Sequence, residues 1–300
     1  MSITDQALAI AAAEAGAAVV RARHGSSLTR FTKLGDDFAT TADIEAEQAI
    51  LDVLRAARPQ DDVLGEESGR TGTGGNGRTW LVDPLCGTLN YAARTMLASV
   101  NVALHTGTGS AVAASADPFI GEVFWTDGSA AYVRSAGTDE RLAPSAESKL
   151  VDVNLDPPFP SRDVFLAARL LADEDFAERF HPRVISTSLA VAWVAAGRRA
   201  AYLTDRHDLG RSVHFAAGIA LCQAAGCVVT GLDGQPLHTG GNGLVVAADE
   251  RPTPPCWPSS ANSAPGGTRG RGRGQSRGQT WTGTAGKPDA EKVFGAAVAE

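Results

Sequence analysis

One twelve-residue stretch constrains this chain more than any other: Trp80-Leu81-Val82-Asp83-Pro84-Leu85-Cys86-Gly87-Thr88-Leu89-Asn90-Tyr91. An apolar run that ends in a carboxylate, then Pro, then Gly-Thr, predicts a strand breaking into a tight turn. Such a turn aims side chains and a backbone carbonyl at one point, and oxygen donors grouped in this way suit a hard divalent ion such as Mg²⁺. Two further segments carry related chemistry. Gly65-Glu66-Glu67-Ser68 closes a short apolar run, and Val213-His214-Phe215-Ala216-Ala217-Gly218 opens a predicted helix whose N-terminal amides favour a phosphate.

The rest of the chain reads as helices, then sheet, then mixed elements. Residues 4–22 are Ala-rich, open with Thr4 and Asp5, and end at Arg21, Arg23 and Gly25, which predicts a helix. A second helix is predicted over Thr41–Ala57, with Ile44, Leu51 and Leu54 on one buried face and Asp43, Glu45, Glu47 and Asp52 mostly toward solvent. Strands are expected at 63–64, 80–82, 98–105, 110–116, 121–125 and 130–134, with a Gly-rich loop at 69–78 and a hairpin turn at Asp127-Gly128. Helices at 162–180, 186–197 and 213–225 follow, with a loop at 204–212, and then strands at 227–230 and 243–248 around an Asp233-Gly234 turn. That order predicts a layered α+β or α/β architecture.

Composition narrows the function classes. The 300 residues are 43% hydrophobic, enough for a full-sized core. A net charge of −7 and a pI near 5.4 argue against nucleic acid as the partner of the main body. No run approaches the ~20 apolar residues of a membrane span, and the N-terminus does not read as a signal peptide. The cysteines form no C-x-x-C pair, so a reducing cytoplasm is expected, with Cys222 and Cys227 as inert core thiols. His24, His105, His181, His207 and His238 have no ligand-spaced partner, and the Gly72–Gly77 cluster lacks the Lys-Ser/Thr of a phosphate-binding P-loop. Beyond Arg251 the chain turns Pro-, Gly- and Arg-rich. We expect a folded domain over 1–250 and a disordered tail over 251–300. The Arg-Gly run 269–277 suits RNA or an acidic surface, an untethered tail, or a shifted reading frame.

The three chemistry-bearing segments resemble the inositol monophosphatase family. The twelve-residue stretch is similar to its signature W-x-x-D-P-x-D-G-T-x-N-[FY] at every fixed position but one. Gly65–Ser68 matches G-E-E-S, Thr41-Ala42-Asp43 resembles T-x-x-D, and Val213–Gly218 resembles W-D-x-A-A-G. Asp117-Pro118 with Gly121–Phe124 resembles the hairpin between the motifs, and the likeness spans about residues 5–249. It implies a layered α/β/α/β/α sandwich that hydrolyses the phosphate of small alcohols with Mg²⁺, is inhibited by Li⁺ and is commonly dimeric. It also implies roles. Glu66, Asp83 and the Leu85 carbonyl hold the first metal, Asp43 and Thr88 orient the attacking water, and the Gly87 and Thr88 amides hold the phosphate.

The chain departs from the pattern where the family places its second metal. The second signature Asp is Cys86, the Asp of the third motif is His214, and the Trp before it is Val213. The family's G-S-A-A-L-D-L helix start reads Ile185–Val191, and its substrate-contacting acidic residue falls at Thr204 or Asp205. Four readings follow. The chain is a phosphatase on its first metal with the second site loosened; a Zn²⁺ hydrolase using Asp83, Cys86 and His214; a Cys86–His214 nucleophilic dyad; or a catalytically dead binder. The first is the expectation: a phosphomonoesterase for a small polyol, cyclitol or sugar phosphate. The GC-rich compositional bias and the motif drift suggest specialised metabolism, such as antibiotic assembly.

Overall fold

The computed structural model describes residues 3–33, 38–72, 75–107, 109–156, 167–205, 209–237 and 243–249. The expected tail, His207 and His238 lie outside them. Helix α1 (Asp5–Arg23) begins where the Thr4 hydroxyl accepts the Ala7 amide. Strands β1 (Arg30–Thr32) and β2 (Phe38–Thr40) pair antiparallel before α2 (Thr41–Ala57). Next come β3 (Asp62–Gly65) and β4 (Gly69–Thr71), so the front of the predicted 69–78 loop is a strand folded back on β3. Strand β5 (Thr79–Cys86) runs parallel to β3 and stops at the short helix α3 (Thr88–Ala92). Then β6 (Ser99–Thr106), β7 (Gly109–Ala116), β8 (Val123–Thr126), β9 (Ala131–Ser135) and β10 (Thr138–Arg141) pair antiparallel in succession. The sheet order is β10-β9-β8-β7-β6-β5-β3-β4.

A second, five-stranded sheet follows. Its elements are β11 (Leu150–Val153), α4 (Ala167–Leu171), α5 (Glu174–Arg179), β12 (His181–Val184), α6 (Leu189–Ala195), β13 (Ala201–Thr204), a 3-10 turn at Leu209–Arg211, α7 (Ala216–Ala225), β14 (Val228–Thr230) and β15 (Leu244–Ala247). The order is β12-β11-β13-β15-β14, parallel among the first three and antiparallel beyond.

Packing turns these into five layers. Val82, Val100, Val102 and Leu104 bury one face of the large sheet against Leu8, Ala12, Ile50 and Leu54 of α1 and α2. The opposite face offers Leu81 and the small Ala103 and Ala113, which pack against Ala216, Ala217 and Ala220 of α7. Helices α6 and α7 then cover the second sheet through Leu189, Leu221, Tyr202 and Val246, and Leu170, Phe176 and Phe180 close its far side. This is the expected α/β/α/β/α sandwich. A Cβ on Gly218 would lie 2.8 Å from Val191, so the approach of α7 to α6 depends on glycine there.

Several local expectations are corrected. Among the described residues the predicted 162–180 helix is two short ones, interrupted where Asp173 caps α5 by accepting the Phe176 amide. Helix α7 starts at Ala216, so His214 sits in the turn before it. Strands β10 to β13 were not expected: β10 is wholly exposed and the others are only four residues long. On α2, Leu51 and Leu54 are buried as expected, but Ile44 is exposed while Asp43 and Glu47 are buried, which reverses the assignment at those three positions. Both carboxylates face the end of β3 and the turn after β5, where backbone and hydroxyl donors satisfy them.

Candidate active site

The start of α2 fixes the first carboxylate. Asp43 Oδ2 accepts the Thr40 amide at 2.8 Å and the Thr40 hydroxyl at 2.6 Å, a capping box that satisfies donors a helix start otherwise leaves open. Its other oxygen, Oδ1, faces Thr88 Oγ1 at 3.0 Å, and that hydroxyl also lies 3.1 Å from the Leu85 carbonyl. One turn along α2, Glu47 accepts the Glu67 amide at 2.9 Å and the Ser68 amide at 2.7 Å. It thereby clamps the turn that presents Glu66. A Cβ on Gly65 would sit 2.7 Å from the Glu47 carboxylate, which is why the G-E-E-S turn needs its glycine.

The end of β5 supplies the rest. Asp83 is fully buried, accepts the Leu85 amide through Oδ1 at 3.1 Å, and meets His214 Nδ1 through Oδ2 at 2.8 Å. Cys86 Sγ accepts the Ser188 amide at 3.3 Å, and the Cys86 carbonyl accepts the Thr187 hydroxyl at 3.4 Å. Gly87 adopts φ 101°, and a Cβ there would lie 2.6 Å from the Leu97 carbonyl. Asn90 braces the turn by donating to the Leu97 and Ser186 carbonyls. Ligand atoms of Asp83, Cys86 and His214 all lie within 4.8 Å of one another, so the two substituted positions are neighbours as expected.

Glu66 joins the two halves. Its Oε1 accepts from Lys33 Nζ at 2.9 Å, and the same ammonium reaches Glu67 Oε1 at 2.6 Å. Its Oε2 is buried without a hydrogen-bond partner and lies 3.8 Å from His214 Nδ1. Burial pushes the Glu66 carboxyl up to about 8, and the Asp83 charge adds to the rise. Asp43 and Glu67 are raised by the same desolvation. For Lys33 and His214 burial works against the charged form, yet neighbouring carboxylates outweigh it: Glu66 and Glu67 raise the lysine, and Asp83 raises the histidine well above its ordinary value. Cys86 moves the wrong way for a nucleophile. Burial and then the Asp83 charge push its thiol up, more than His214 and the Ser188 amide bring it down.

The fold brings Asp43, Glu66, Asp83, Leu85, Cys86, Thr88 and His214 together here, from elements far apart in the chain. Lys33 and Glu47 were missed. Glu47 lies four residues after Asp43, a helical spacing that places both on one face. No local signal marks Lys33. Of the other candidates, His24 packs edge-on against Tyr91 and Phe119, and Cys222 is buried with its thiol donating to the Val191 carbonyl. Thr204 and Asp205 are buried at the end of β13.

A five-layered sandwich with buried carboxylates gathered at the strand ends is the architecture of metal-dependent phosphomonoesterases. The chain belongs to the inositol monophosphatase family, since residues 2–260 match that family's sequence profile. A Caulobacter vibrioides protein named inositol-1-monophosphatase is 34% identical over 206 residues, covering 66% of this chain and 77% of that one. The Nus factor SuhB of Escherichia coli is 29% identical over 205 residues, covering 67% and 74%. Among solved structures, the extragenic suppressor protein suhB of Bartonella henselae shares the fold with a TM-score of 0.68 at 24% identity, over 79% of this chain and 92% of that one. The Thermotoga maritima IMPase does so with a TM-score of 0.66 at 20% identity, over 80% and 90%. No helix among the described residues is long and apolar enough to cross a membrane.

Proposed function

We propose that the chain hydrolyses the phosphate monoester of a small polyol, cyclitol or sugar at the Glu66–Asp83–Thr88 cluster, within a domain spanning residues 1–250. The observation that carries this reading is Glu66 Oε2, a buried oxygen with no hydrogen-bond partner, held beside the buried Asp83. Burial of such a group without a hydrogen bond is costly, and a hard cation relieves it. Glu66, Asp83 and the Leu85 carbonyl fit Mg²⁺ by donor chemistry, and when bound the ion would lower the pKa of a water and neutralise phosphate charge. Thr88 has one hydroxyl proton, which goes to Asp43 or to the Leu85 carbonyl, leaving a lone pair to accept from water. Asp43 and Thr88 would therefore orient the attacking water, and the Gly87 and Thr88 amides would hold the phosphate.

The second position does not fit Mg²⁺. Cys86 and His214 are soft or nitrogen donors, and His214 Nδ1 is already engaged with Asp83. Zn²⁺ is the ion that three such donors would suit, and their mutual distances of under 4.8 Å favour it as a second reading. The raised Cys86 thiol speaks against the nucleophilic dyad. A place in specialised or antibiotic metabolism rests on compositional bias and motif drift, and housekeeping genes next to this one would sink it. The central experiment measures phosphate release from a panel of small phosphates, with metal content determined on the same sample. Wild type should release phosphate, and Glu66→Gln and Asp83→Asn should fold but lose activity. A silent wild type loaded with metal would leave a phosphatase fold serving as a binder.

A further inference from the structure

Lys33 makes the same ammonium serve two carboxylates of one turn, 2.9 Å from Glu66 Oε1 and 2.6 Å from Glu67 Oε1. The turn cannot swing away from it, because Glu47 holds the Glu67 and Ser68 amides from behind. Glu66 is therefore presented with its two oxygens in different states. Oε1 is tied by a charge-assisted hydrogen bond, and Oε2 is buried without a hydrogen bond, beside Asp83 and 3.8 Å from His214 Nδ1. For an ion on the Asp83 side, Glu66 offers one oxygen and not two.

That difference separates the two common hard cations. Mg²⁺ demands a near-octahedral shell and takes single oxygens from its carboxylates. Ca²⁺ accepts a larger, irregular shell and readily takes both oxygens of one carboxylate. We propose that Lys33 is a positioning residue that sets ion preference: by occupying Glu66 Oε1 it enforces one-oxygen ligation and so favours Mg²⁺ over Ca²⁺. The proposal rests on Glu66 being a metal ligand, as argued above. It differs from a simple charge effect, since removing a nearby positive charge strengthens both divalent ions by the same factor.

Calorimetric titration of the full chain with Mg²⁺ and, separately, Ca²⁺ tests it. The proteins are wild type, Lys33→Met, Lys33→Arg and Glu66→Gln. In Lys33→Met the Ca²⁺-to-Mg²⁺ affinity ratio should rise by about tenfold, the factor expected when one charged hydrogen bond no longer restrains the carboxylate. Lys33→Arg, which keeps a donor on Oε1, should hold the wild-type ratio. A ratio unchanged in Lys33→Met, whether both affinities rise, fall or stay, overturns the proposal. Should Lys33→Met lack a cooperative melt, Lys33→Ala is read by the same ratio. Mg²⁺ binding that is indifferent to Glu66→Gln would instead overturn the ligand role of Glu66 itself, a signature distinct from an unchanged ratio.

Discussion

Replacing Glu47 by alanine removes the clamp on the turn that carries Glu66. The lost interactions are two hydrogen bonds from backbone amides to a carboxylate, Glu67 N–H at 2.9 Å and Ser68 N–H at 2.7 Å. Hydrogen bonds to charged groups contribute about 1.5–3 kcal/mol each, so the pair is worth roughly 3–6 kcal/mol. The turn is partly accessible, and water recovers some of the loss, which puts the expected destabilisation at the low end, about 3 kcal/mol. With a urea m-value of about 2 kcal/mol per molar, the unfolding midpoint should fall by about 1.5 M. Glu47→Gln keeps one acceptor oxygen and should cost about half as much. Urea titration followed by circular dichroism reads both, and Mg²⁺ calorimetry on the same variants should show weaker binding because Glu66 is no longer fixed. A midpoint shift below about 0.3 M for Glu47→Ala, or equal shifts for the two variants, would refute the clamp.

Cys86 should alkylate slowly with iodoacetamide at pH 7 in the presence of chelator, and faster as pH rises, because burial keeps its thiol protonated. Peptide mass spectrometry follows it, and rapid neutral-pH labelling would revive the dyad. Cys86→Asp combined with His214→Asp should raise Mg²⁺-dependent phosphate release above either single change, since three carboxylates then surround one point; no rise in excess Mg²⁺ counts against a merely loosened site. Gly218→Ala should lower the melting temperature by a few degrees, because its Cβ would lie 2.8 Å from Val191 and overpacking costs about 1–3 kcal/mol. An unchanged melt would show that α6 and α7 can part without penalty.

The sequence by itself determined what is local. Thr4 and Thr40 cap the first two helices through bonds spanning two or three residues, and the Asp83–Gly87 turn is fixed by a carboxylate accepting an amide two positions on and by one left-handed glycine. These arrangements are written in adjacent residue types, so motif reading pointed to Asp43, Glu66, Asp83, Gly87 and Thr88, which the fold brings together. Tertiary structure decided which charges meet. On α2, amphipathic reasoning turned Asp43 and Glu47 outward, because it assumes that a buried face is apolar. The helix instead carries a polar edge over the turns that follow β3 and β5, whose donors satisfy those carboxylates. Lys33 reaches Glu66 across 33 residues and His214 reaches Asp83 across 131. No propensity or spacing encodes such pairs. Their separation is set by how the five layers stack, and burial there favours each pairing, since an ionised group in that interior either finds a partner or is driven toward its neutral form.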